Sequence, residues 1–436
     1  MEDREMMLKG VKIIDFTLNI AGPTASALAT DYGATVIKVE PQTGDPCRGY
    51  APYIDGKGMS HAWANRGKQS VVANLKDPRG VEMCKRLISD ADVLVESFRP
   101  GVMERLGLGY DALKEINPKL IYCSISAFGQ TGPYAQKPGY DLMGQAISGM
   151  ISVTGEKGGR PLQHGVSLAD FFAGVNAYAA IATALIYQRA TGKGQHIDVS
   201  LIQGMIYLNS PIDRLNVGLI VKPNGRHHPA QAPFGCFYND KGEAVVICAH
   251  TGRPWENLTK AMERPDLLTD EKFAEFRTRT ANQDELVTVI EAWLNTFPNI
   301  DAAIARLDEF DVPNCKINNT QDVLNDPQVK HMGYVVEAPT PDDVTSQDTY
   351  ITRGPNALFS ETPGYIHKAP TLGQNSREIF EELGYSAEEI DSMLSDWAPK
   401  PQFAILERHT DVINQRDEVV LSYDSVVMIK TKRDDK

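Results

Sequence analysis

The feature that most constrains this fold is the alternation of short apolar runs with helical segments across the first 126 residues. Residues 11–15 (VKIID), 35–40 (TVIKVE), 92–96 (DVLVE) and 120–126 (LIYCSIS) are brief and rich in β-branched residues, and residues 70–75 are similar. Runs of this length, bounded by turn residues, read as buried strands. Between them, residues 24–33 are Ala-rich, residues 77–90 open on Asp-Pro like a helix start, and residues 100–106 and 110–116 are helical in pattern. About five strands alternating with helices predict an α/β fold with a doubly wound parallel sheet. Ligands of such sheets sit beyond the carboxyl ends of the strands. The first turn, Asn19-Ile-Ala-Gly-Pro23, lacks GxGxxG, so the dinucleotide fingerprint is absent. Residues 41–68 are polar and rich in Gly and Pro and predict a long surface loop.

The second informative stretch is 161–201. Asp170 stands just ahead of Phe171, Phe172, Val175, Tyr178, Ile181, Leu185 and Ile186, which recur at helical spacing among small residues. Gly192 and Gly194 stop this helix, and residues 195–201 alternate like a strand. Ser167 and Asp170 are three apart, close to a capping box. A first-turn carboxylate also meets the positive end of the helix dipole, which favours an ionised, nucleophilic group. Both readings of Asp170, cap and reagent, are open at this point.

Further along, residues 128–140 (FGQTGPYAQKPGY) hold three glycines and two prolines and predict an irregular loop with exposed backbone N–H groups. Residues 222–233 are a polar break and a linker candidate. Residues 234–250 predict a hairpin around Asn239-Asp-Lys-Gly242, and helices follow near 253–263, 282–296 and 299–309. Residues 234–325 therefore form a small α+β domain after a large domain over 1–221. Strand-like runs return from Gly333, and 376–383 with 387–394 predict a helical pair, within a return to the large domain over 326–400. The extension 401–436 contains VVLSYDSVVMI, readable as a strand or as a partner-binding tail.

The net charge of −13 argues against a general nucleic-acid binder. No apolar run approaches the roughly 20 residues of a membrane span, so no membrane partner is expected. The six cysteines are scattered without a CxxC pair and no histidines have HExxH spacing, so no metal site is expected. With a charged N-terminus lacking an apolar core, this fits a cytoplasmic location.

Several pieces, in order, resemble the family III CoA transferases, the group that includes carnitine, bile-acid and formyl-CoA transferases. They are LKGVKIIDF, IAGP, GATVIKVE, NRGKQSVVANLKDPRG, ADVLVESFRPGVMERLG, NPKLIYCSISAFGQTGP, GYDLMGQAISG and SLADFFAG through QHIDVSL. The resemblance runs to about residue 395. It implies a Rossmann-like large domain built from both chain ends, a smaller α+β domain, and an interlocked, ring-like homodimer. It implies that Asp170 is the catalytic aspartate, and that CoA is contacted at Lys76, Ser97, Phe98 and Arg105 and by the loop from Lys137 to Tyr140. Lys38, on a strand end, is a weaker candidate. Without the resemblance, Lys76 and Arg105 read as solvated charges and Phe98 as core.

The implied reaction moves CoA from an acyl-CoA to a free carboxylic acid through aspartyl anhydride and aspartyl-CoA thioester intermediates. Acyl-CoA and acid are substrates, with no permanently bound cofactor. Formate and oxalate transferases carry Gln where this chain has Ile20, and a GGGGQ lid that it lacks, which disfavours oxalate. Two alternatives share the fold. An α-methylacyl-CoA racemase would need a His at Tyr140, and a non-catalytic CoA-binding subunit would not need Asp170.

Overall fold

The computed structural model describes residues 6–398, 403–413 and 419–430. Six strands form a parallel sheet: β1 (Lys12–Phe16), β2 (Thr35–Glu40), β3 (Gln69–Val72), β4 (Val93–Glu96), β5 (Ile121–Ser126) and β6 (Gln195–Ser200). Their spatial order is β3-β2-β1-β4-β5-β6. Winding reverses between β1 and β4, and the crevice at the carboxyl ends of those two strands is the ligand position of this topology. Near-continuous apolar strands follow from burial on both faces. One core joins Ile14, Phe16, Leu94 and Tyr122 to Met83 and Leu87 of helix α2 (Pro78–Ser89) and to Phe380 and Trp397 near the far end of the chain.

The chain divides into two compact units. One comprises Met1–Ser148, Gly165–Leu208 and Met332–Lys436, and the other Gly149–His164 and Asn209–His331. In the first, Ser376 Oγ accepts the Val72 N–H at 3.1 Å and Asn375 Oδ1 accepts that of Ser70 at 3.0 Å, which ties the returning chain to β3. The second has a three-stranded antiparallel sheet, Phe234–Tyr238, Ala244–Cys248 and Asn314–Lys316, packed on helices around Trp255, Leu258 and Ile290. In the extension, strands Phe403–Ile413 and Val419–Lys430 pair antiparallel with each other.

Two expectations change. Residues 41–68 are not simply a surface loop. They contain a short helix, Met59–Ala64, and bury Asp45, Cys47, His61 and Asn65. The polar residues that suggested solvent pair internally instead: Asp45 binds Lys38 at 2.9 Å, and Asn65 binds Lys68 at 2.8 Å. The second change is α4 (Leu168–Thr191), long and apolar enough to cross a membrane, where no such run was expected. Its many small residues lower its hydropathy to the eye, yet no charge interrupts it between Asp170 and Arg189. Ala173, Gly174, Ala177, Ile181 and Ala184 form its buried stripe, against α1 (Ala21–Asp31) and the sheet.

Candidate active site

The turn after β1 is held by buried charge. Asp15 Oδ1 accepts from the Thr17 N–H at 2.7 Å, Lys38 Nζ donates to Thr17 O at 2.7 Å, and Asp45 Oδ1 accepts from the Asn19 N–H at 3.0 Å. Asn19 takes a left-handed φ of 66°, tolerated best by Asn, Asp and Gly. Burial alone would raise the Asp15 carboxyl, but Lys68 and Lys38 outweigh it and hold it well below the usual range. Helix α1 begins directly after this turn. Its N-cap is Ile20, whose side chain cannot accept a hydrogen bond, so first-turn N–H groups are left without a side-chain cap.

Opposite this turn lies the segment after β4. Ser97 Oγ accepts the Leu18 N–H at 3.0 Å and joins the two crossover loops. Glu96, at the strand end, accepts the Phe98 N–H at 2.8 Å, and burial pushes its carboxyl up to about 7. The Gly-rich loop after β5 forms the third side. Ser126 Oγ accepts the Gly129 N–H and Asp198 Oδ2 the Gln130 N–H, each at 2.9 Å. Gly139 permits a close approach there, because a Cβ would sit 2.8 Å from the Phe128 ring.

These three loops and the start of α4 enclose a cavity of about 220 Å³ lined by Asn19, Ile20, Ser97, Phe98, Lys137, Tyr140 and Asp170, among others. Asp170 is in the first turn of α4 but does not cap it. Ser167, the N-cap residue, makes no cap hydrogen bond either. The cap comes from Asp141 of α3 (Asp141–Ile147), whose Oδ1 accepts the N–H of Ala169 at 2.7 Å and of Asp170 at 3.2 Å. The capping-box expectation is thereby corrected, and of the two readings of Asp170 the cap is removed. Among the described residues, no group donates a hydrogen bond to the Asp170 carboxyl. Burial, and then the nearby Asp141 charge, push it up to about 7. A half-buried carboxyl that is ionised near neutrality without hydrogen-bond stabilisation is a stronger nucleophile than a solvated one.

A family model described as CoA-transferase family III matches residues 8–376. The chain belongs to that family. It is 35% identical over 396 residues to the succinate–glutarate CoA-transferase of Agrobacterium fabrum, covering 88% of this chain and 97% of that protein. It is 34% identical over 403 residues to the Homo sapiens succinyl-CoA:glutarate CoA-transferase, covering 89% of each. It is 41% identical over 293 residues to the acetyl-CoA:oxalate CoA-transferase of Acetobacter aceti, covering 66% of this chain and 75% of that protein. A solved CAIB/BAIF family protein from Brucella suis superposes with a TM-score of 0.77 at 34% identity, covering 87% of this chain and all of that one.

In this family III CoA-transferase the cavity gathers five of the seven residues expected from the sequence: Asp170, Ser97, Phe98, Lys137 and Tyr140. Phe98 also packs against the core, as its residue type alone suggested. Lys137 Nζ lies 3.9 Å from the centre of the Tyr134 ring, and Tyr140 is 69% exposed. Lys76 and Arg105 are exposed and outside the cavity lining, on the segments following β3 and β4. Lys38 is fully buried and salt-bridged to Asp45, which makes it a support of the turn and not a ligand group. Sequence reasoning missed Arg99, which lines the cavity. Its position beside Phe98 at a strand's carboxyl end was the available signal. It also missed Asp141, because no local pattern marks a residue that caps a helix 28 positions downstream.

Proposed function

We propose that this enzyme transfers CoA from an acyl-CoA thioester to a free carboxylic acid, with Asp170 as the covalent relay. The observation that carries the reading is the Asp170 carboxyl, without a hydrogen-bond donor among the described residues, in a cavity at the reversal point of the sheet. An Asp170 oxygen attacks the acyl carbonyl, the C–S bond breaks, and CoA thiolate leaves an aspartyl–acyl anhydride. The thiolate attacks Asp170 Cγ, the anhydride C–O bond breaks, and the donor acid departs from an aspartyl-CoA thioester. The acceptor carboxylate then attacks Cγ, thiolate leaves, and a second anhydride forms. Thiolate attacks the acceptor carbonyl and restores Asp170. No water is consumed, and the thioester energy is conserved in covalent intermediates. The uncapped first turn of α1 supplies N–H groups for the developing oxyanions.

The cavity fits the thioester end of CoA and a short acyl group, while its nucleotide lies outside. There Lys76 and Arg105, on the carboxyl-end segments, meet the phosphates, with Ser97 and Phe98 along the way. The named activities of the relatives, on succinate, glutarate and oxalate, favour a dicarboxylate acceptor. Arg99 and Lys137 supply the cations for its second carboxylate. The Acetobacter relative keeps oxalate among the acceptors to be tested despite Ile20. A racemase would need a second acid/base partner, and the position in question is Tyr140. The working form is a homodimer, interlocked as the resemblance implies.

The test is incubation with succinyl-CoA, trapping with hydroxylamine, and the mass of the Asp170 peptide, alongside an acceptor screen of glutarate, oxalate and L-malate. A modified Asp170 peptide and CoA transfer support the reading. Full turnover by a folded Asp170→Ala protein sinks it.

A further inference from the structure

We propose that Asp141 is a positioning residue for the Asp170 nucleophile. It takes the first-turn N–H groups of α4 that Asp170 would otherwise fold back upon, and so leaves the Asp170 carboxyl facing the cavity. The inference rests on the transfer reading above and deepens it.

Three geometric facts support it. The residue in the N-cap place, Ser167, does not cap. Instead, Asp141 reaches from the first turn of α3 to the N–H groups of Ala169 and Asp170 at 2.7 and 3.2 Å. Its other oxygen accepts from Gln145 Nε2 at 2.6 Å, one turn along α3, which fixes the carboxylate plane. The two helices are close enough for this because Gly144 lies against Ala169, with a built Cβ at 3.0 Å from that methyl group.

A first-turn Asp without a competitor bends toward N–H groups at its own helix start. Those bonds would stabilise the anion and blunt its nucleophilicity. Asp141 removes them as donors and sets a second negative charge beside Asp170. The other charged or titratable groups lining the cavity are Arg99 after β4 and Lys137 and Tyr140 from the Gly-rich loop. These groups lie on loops, whereas Asp141 meets α4 directly.

Two variants separate capping from charge. Asn at 141 keeps an oxygen for the two N–H groups and loses the charge, whereas Ala loses both. The readouts are thermal melting, carbodiimide labelling of the Asp170 peptide across pH, which needs no substrate, and single-turnover acylation by succinyl-CoA. Asp141→Asn is expected to melt close to wild type. Its labelling midpoint should fall by about one pH unit as the like charge disappears. Its acylation should be several-fold slower above neutrality, with the acid limb moved to lower pH and the KM for succinyl-CoA little changed. Asp141→Ala should lower the melting temperature as well. An unchanged midpoint and unchanged acylation in Asp141→Ala, which frees the Ala169 and Asp170 N–H groups, overturn the proposal. So does a loss confined to melting temperature, which marks a purely structural cap. If wild-type Asp170 gives the expected carbodiimide midpoint but takes no acyl group from succinyl-CoA, the transfer reading fails and the positioning role stands.

Discussion

At the scale of single residues, the ionisation of Asp170 ties stability, and in the proposed reaction activity, to pH. Its carboxyl lies at about 7 in the folded chain against an ordinary 3.8. The protonated form is favoured by folding, so stability is complete below the ordinary value and is lost as pH climbs through about 7. Asp170→Asn removes that penalty. We expect the variant to be more stable than wild type by roughly 2–4 kcal/mol near pH 8 and nearly equal near pH 4, by denaturant unfolding. It should also be inactive. For the wild type, kcat/KM should rise with pH through an acid limb near 7 as the nucleophile ionises. A limb at ordinary carboxylate values would contradict the site as described.

Among the elements, close packing and buried charge fix where the loops lie. Helices α1 and α4 meet at Gly174, where a Cβ would sit 2.6 Å from Ala21 O and 2.7 Å from Thr24 Cβ. Alanine gains about 1 kcal/mol of helix propensity there, but backbone oxygen cannot yield as a flexible side chain does. Gly174→Ala should therefore lower stability by a net of about 1–3 kcal/mol. It should also shift the start of α1 and raise KM, as calorimetry and kinetics would show. The turn after β1 depends on the Lys38–Asp45 pair, in which both side chains are wholly buried. Lys38→Met leaves Asp45 unpaired and should cost about 3–5 kcal/mol in unfolding experiments. The milder Lys38→Arg keeps the charge and tests whether Thr17 O needs the ammonium geometry.

For the whole molecule, the first unit leaves much apolar surface uncovered. Ile186 is 73% exposed and Tyr207 83%, and Val175 and Tyr187 on α4 are exposed as well. Exposed apolar surface of this extent marks contact with another molecule. A second copy is the occupant that fits the proposed dimer, and light scattering should give twice the mass of the chain. Ile186→Lys with Tyr207→Lys should shift that mass toward the monomer. A wild-type monomer at micromolar concentration would refute the dimer.

Taken alone, the sequence determined the parts that depend on local pattern. Apolar runs of strand length between helical segments forced a parallel sheet, because chain that short can bury its backbone polar groups only in a ladder. The predicted strand at residues 35–40 matches β2 residue for residue, and the boundaries of β5 and β6 shift by no more than one. The resemblance named Asp170, Ser97, Phe98, Lys137 and Tyr140, and all five line one cavity. Tertiary structure decided what spacing cannot encode. It brought Asp141 to a helix start 28 residues away, which turned Asp170 from a cap into a free carboxyl. It buried the polar stretch around Asp45 and His61 by pairing Asp45 with Lys38, Arg48 with Glu40 and Asn65 with Lys68, and so made a support out of an apparent loop. It also left Lys76 and Arg105 outside the cavity that holds Asp170. The physical reason is the same each time: a polar group takes its role from the partners within hydrogen-bonding reach, and local spacing does not state which partners the fold brings there.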